Sequence, residues 1–144
     1  MKNNFSRALF LIISLTSCHP DNTEVFVEAE TFMDHGGWVV DPQFTEQMGS
    51  PYLLAHGLGY PVKNARININ STVNGNYYAW VRTKNWAPGN WEAPGRFELI
   101  INGQPADSTL GTGNEWAWQY AGTFRLKSSV MRIEMKDLTG FEFK

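Results

Sequence analysis

From Glu24 onward, apolar and polar residues alternate with a period of two, the signature of half-buried strands. In EVFVEAE, Val25, Val27 and Ala29 fall on one side and Phe26, Glu28 and Glu30 on the other. In ARINI, Ala65, Ile67 and Ile69 point inward and Arg66 and Asn68 outward; in VMRIEMK, Met131, Ile133 and Met135 oppose Arg132, Glu134 and Lys136. YYAWVRT (77–83), RFELII (96–101), EWAWQY and TFRL add further extended segments, the last two meeting around Gly122. VNGN (73–76) and Asn102-Gly103 mark tight turns. Between Thr31 and Pro61 the alternation fails, and the stretch reads as long loops with one short strand at Tyr52 to Ala55. No segment carries a helical period for three turns. About seven to nine short strands at this spacing predict an all-β, antiparallel β-sandwich.

Composition agrees. Of 144 residues, 14% are aromatic, six of them Trp, and only 18% are charged. That is the profile of a turn-rich β protein of one domain. The net charge of -2, with no basic run, speaks against nucleic acid as a partner, since phosphates need Lys and Arg to neutralise them.

The first residues read as a targeting segment. Lys2 and Arg7 precede the apolar run ALFLIISL, which is too short for a membrane span and suits a secretory signal. Leu15-Thr16-Ser17-Cys18 resembles a bacterial lipobox, in which Cys18 is lipidated and becomes the mature N-terminus. The alternative is cleavage nearby, with Cys18 incidental. The division expected is a signal peptide over 1–17, a tether over 18–23 and a β-sandwich over 24–144. The protein would then be exported and held at the outer membrane or cell surface by its lipid alone. With one cysteine in the chain, such a fold has no internal disulfide and stands on its core.

Candidate chemistry concentrates in RTKNWAPGNWEAPGRFEL (82–99). Two tryptophans on a loop of Pro-Gly turns suit a sugar: an indole stacks on the C–H face of a pyranose, and polar neighbours bond its hydroxyls. Trp86 and Trp91 are the expected stackers, with Arg82 and Glu92 as polar partners. The competing expectation is that the indoles fold back to cap the sandwich. Trp116, Trp118 and Tyr120 share a face by period two and read as core, as do Tyr78 and Trp80. Asp34-His35-Gly36-Gly37 and His56 match no hydrolase or metal spacing, so no catalytic residue is expected.

EVFVEAETF, VNGNYYAWVRTK and MRIEMKDLTGFE resemble the β-jelly-roll carbohydrate-binding modules of families six and thirty-five. DPQFTEQMGSPYLLAHGLG, WVRTK, APGRFEL and DLTGFE are similar to the galactose-binding-like sandwich attached to secreted FAD-dependent oxidoreductases, some labelled xanthan lyases, of Bacteroidetes. The resemblance spans about Val25 to Glu142. It implies a non-catalytic carbohydrate-binding module, with Glu28 and Glu30 helping to hold a structural calcium. Alternatively, it implies an accessory domain that docks on a partner catalytic domain, an oxidoreductase or lyase. The family pattern runs on past DLTGFE into a further strand, so a last strand is expected to be missing here. No Rossmann glycine fingerprint accompanies a strand and helix, and no flavin site is expected.

Overall fold

The structure is a computed structural model and describes residues 24–56, 59–70, 73–87 and 94–140. The elements, in chain order, are a 3-10 turn (Ala29–Thr31), β1 (Val39–Asp41), α1 (Thr45–Met48), β2 (Tyr52–Leu54), β3 (Ala65–Asn70), β4 (Gly75–Thr83), β5 (Phe97–Ile101), β6 (Gln104–Pro105), β7 (Ala117–Leu126) and β8 (Val130–Asp137). Every strand pairing is antiparallel. The strands form a sheet in the order β3-β8-β5-β6, a second of β4-β7 and a small ribbon of β1-β2. The expected all-β sandwich is present.

The alternation read along the chain explains the layers. On β5 and β8, Phe97, Leu99, Ile101, Met131, Ile133 and Met135 are buried, while their neighbours in sequence face outward. Phe124 and Leu126 of β7 are buried in the same core, with Tyr77, Ala79 and Val81 of β4 packed partly against it. Phe32 and Trp38 complete it from the loops, Trp38 meeting Phe97 edge-on at 5.8 Å. Asn102 and Gly103 both take positive φ (50° and 79°), the geometry of a two-residue hairpin turn. Ile101 and Gln104 pair across it.

Two expectations differ. EVFVEAE is not a strand among the described residues: residues 24–28 pair with no described strand, and a 3-10 turn follows. Its alternation is nonetheless honoured, for Val25 and Val27 pack against the core and Phe26 is exposed. A strand needs a neighbour to accept its ladder, and burial alone does not supply one. EWAWQY and TFRL, in turn, form one ten-residue strand, β7. Its register against β4 slips between Ala79 and Trp80: Ala79 faces Gly122, but Trp80 faces Tyr120. Ala121 is the extra residue of a β-bulge. Gly122 sits at φ 147°, where a Cβ would lie 2.8 Å from an Asp107 carboxylate oxygen. The Asp107 amide donates to the Ala121 carbonyl at 3.0 Å, pinning the bulge.

Candidate functional site

The bulge decides which aromatics see water. A one-residue slip in a strand exchanges its faces. Beyond Gly122, Phe124 and Leu126 point inward; before it, Trp118 and Tyr120 point outward. The outer face of β4–β7 is therefore a row of cross-strand pairs: Asn76 with Arg125, Tyr78 with Thr123, Trp80 with Tyr120 and Arg82 with Trp118. Tyr78 is 69% exposed, Trp80 56%, Trp118 56% and Tyr120 40%. These four rings, read from the sequence as core, form an open aromatic ledge. Trp80 and Tyr120 lie 5.1 Å apart at 50°, and Tyr120 and Thr123 share a hydroxyl hydrogen bond of 2.7 Å. Both hold their rings in fixed orientations with polar atoms alongside.

The opposite outer face has another chemistry. On β3, β8 and β5 it carries Glu134 between Arg66 (3.1 Å) and Arg132 (3.2 Å), and Lys136 against Glu98 at 3.3 Å. That is an ordinary solvated sheet surface, worth little per pair. Side by side, the charged face is a lattice of ion pairs, and the aromatic one exposes apolar area that folding leaves unburied.

Of the residues expected at the site, Arg82 is placed at one end of the ledge but is engaged. Its guanidinium donates to the carbonyl oxygens of Gln47 (2.8 Å) and Met48 (3.1 Å), the last turn of α1, where a cation is favoured. Trp86 is half-buried and stacks on His56 at 5.6 Å. The loop base beneath it is packed: Asn85 is buried, and its side-chain oxygen accepts from the Gly95 amide at 3.0 Å. Trp86 thus contributes to the cap of the sandwich. Trp91, Glu92 and Cys18 lie outside the described residues. Trp116 behaves as read, packing at 5.0 Å on Tyr52 and 5.9 Å on Phe44.

The carboxylates expected at a calcium site are set as follows. Glu28 accepts a 3.4 Å bond from the Ser50 hydroxyl, and Glu30 lies on the 3-10 turn, its backbone carbonyl in contact with the His35 ring at 3.2 Å. Asp137 is buried and committed to the fold. Among the described residues no three His, Cys, Asp or Glu side chains converge.

One titration is built into the aromatic cluster. Burial, and then the Asp41 carboxylate across the β1–β2 ribbon, push the Tyr52 phenol up to about 12. An unfolded tyrosine titrates near 10. Below pH 10 both states keep the proton and stability is unaffected. Between about 10 and 12 only the unfolded state loses it, so stability falls through that window. Unfolding midpoints measured from pH 9 to 12 should show this alkaline decline, and Tyr52→Phe should flatten it. An unchanged decline would place the titrating group elsewhere.

A scan of protein-family models finds no match to the chain, and comparison with curated proteins and with solved structures finds none either.

Proposed function

We propose that this chain is a non-catalytic carbohydrate-binding module whose sugar stacks on the β4–β7 ledge. The observation that carries the reading is the exposure of Tyr78, Trp80, Trp118 and Tyr120 together on one sheet face. Scattered exposed aromatics are ordinary; a contiguous set rimmed by polar groups marks an interaction surface. A pyranose chain offers what such a surface takes, apolar C–H faces for the rings and hydroxyls for the rim. Asn76, Thr123 and Arg125, exposed on the same face, supply donors and acceptors. The proposed stacking thus lies on the strands, with Arg82 positioning α1. In this reading the module is exported, held by lipid at Cys18, and sits beside polysaccharide; a structural calcium at Glu28 and Glu30 is a separate proposal, tested by calcium titration of the melting temperature.

The second reading, an accessory domain docked on a partner oxidoreductase or lyase domain, draws on the same exposed rings, since aromatic residues are enriched at interfaces.

Titrating the protein with plant and bacterial polysaccharides, with tryptophan fluorescence as the readout, separates the two. A saturable shift with Kd on the order of 10 µM to 1 mM, about -4 to -7 kcal/mol, is expected. It should be lost in Trp80→Ala/Trp118→Ala without a fall in melting temperature. A folded protein that answers no glycan overturns the carbohydrate reading and favours docking.

A further inference from the structure

The sandwich is not closed. An opening of about 790 Å³ runs from between its layers to the outer face of β4, lined by Leu99, Ile133 and Met135 within and by Tyr78, Trp80 and Trp118 outside. Finished protein cores are packed like organic crystals, with few voids larger than a water molecule. This volume is of the order of two dozen waters' share of liquid, in apolar surroundings.

Two extended segments border the opening, and each has an edge on which no described strand pairs. One is β4, nine residues long, which pairs with β7 along one edge and with no other described strand. The other is Glu24–Glu28, whose Val25 and Val27 point into the core as a strand's would, and whose Glu28 has extended backbone angles (φ -82°, ψ 122°). No described residue ladders onto it. An incomplete core flanked by unladdered backbone has the shape of a place for one more strand.

The border also has a sign. Glu24, Glu28 and Glu30 lie along it. The cations that reach it are engaged elsewhere: Arg82 on the α1 carbonyls, and Lys84 over the Phe44 ring at 4.5 Å. A second copy of this chain pairing through its own β4 would cover the edge but not fill the space, because the inward side chains Ala79 and Val81 already pack on their own core.

We propose that the opening receives an extended peptide segment from a partner protein, with apolar side chains at alternate positions and basic ones between. Its apolar side chains fill the opening, its backbone ladders onto β4, and its Lys or Arg residues meet Glu24, Glu28 and Glu30. A strand along all of β4 would span roughly 30 Å, so about eight or nine residues suffice. Asn76, Tyr78, Trp80 and Trp118 of the ledge also border this opening, but the proposal does not depend on the glycan reading.

The test uses three acetylated nine-residue peptides: alternating Lys and Val, the same composition in two blocks, and alternating Glu and Val. The alternating Lys/Val peptide should raise the melting temperature saturably and slow amide exchange at Ala79 to Thr83. The block peptide should bind at least tenfold more weakly. Glu24→Lys/Glu28→Lys, on a partly solvated border, should weaken the Lys/Val peptide about fivefold, as two screened ion pairs allow, and improve the Glu/Val one. Equal binding of the block and alternating peptides would reduce the effect to charge and overturn strand addition. So would the absence of any stabilisation, or a stable dimer that the peptide does not dissociate.

Discussion

Asp137→Ala should lower the unfolding free energy by about 3 kcal/mol, measured by urea denaturation. The side chain is 5% exposed at the end of β8. One carboxylate oxygen accepts from the Val62 amide at 3.0 Å, tying the loop before β3 to β8. The other accepts from the Thr139 amide at 3.0 Å and the Gly140 amide at 3.4 Å; the Thr139 hydroxyl, also 3.4 Å away, has the Pro94 carbonyl as its nearer acceptor. Truncation leaves these donors buried without a charged acceptor, at about 1–3 kcal/mol for each group stranded. Water entering the gap offsets part of the sum. Asp137→Asn keeps one acceptor oxygen and should cost about half as much. Equal losses in the two variants would mean that charge, rather than the set of hydrogen bonds, is what the site requires.

Gly111→Ala should be costlier, about 3–5 kcal/mol, enough to leave a marginal domain largely unfolded. Gly111 has φ 73°, a left-handed conformation that costs an L-residue roughly 1–2 kcal/mol. Its added Cβ would also lie 2.1 Å from the Gly95 carbonyl oxygen. Neither backbone can yield freely: Leu110 is fully buried and bonded both ways to Phe97, at 3.0 and 3.1 Å. Forced overpacking of this kind adds about 1–3 kcal/mol. Gly103 provides the control. It too has positive φ (79°), but a Cβ there would meet nothing within 4 Å. Gly103→Ala should therefore show the conformational cost alone, near 1 kcal/mol, and the difference between the variants measures the collision. Similar losses at both positions would remove the steric argument.

Much of this fold was legible because burial on one face writes itself into sequence at period two. β3, β4, β5 and β8 fall within a residue or two of the alternating runs that announced them. The candidate site was not legible, for two physical reasons. Burial of Trp and Tyr is the usual outcome, so period two alone assigned Tyr78, Trp80, Trp118 and Tyr120 to the core. The bulge at Ala121 then reversed the parity of β7 midway, and a continuous alternation carries no mark of which half is reversed. Gly122 was the only signal, an isolated glycine inside a strand pattern, which suggests a bulge without saying what it turns outward. Arg82 was singled out for its charge beside tryptophans, whereas its partners are α1 carbonyls that no spacing foretells. The strand pattern at Glu24–Glu28 was read correctly for its faces and wrongly for its ladder, because pairing depends on a neighbour distant in sequence.

The bulge also has a meaning on the timescale of descent. Here the display of two aromatic residues hangs on the presence of a single inserted backbone unit, so in-frame loss of one codon at Ala121 would turn Trp118 and Tyr120 inward in one step. Gain of a codon at the same place in an ancestor would have had the reverse effect, bringing pre-existing core residues to the surface together. A lineage that lengthens and shortens this strand could thus switch the surface on and off while its amino-acid composition stays almost constant.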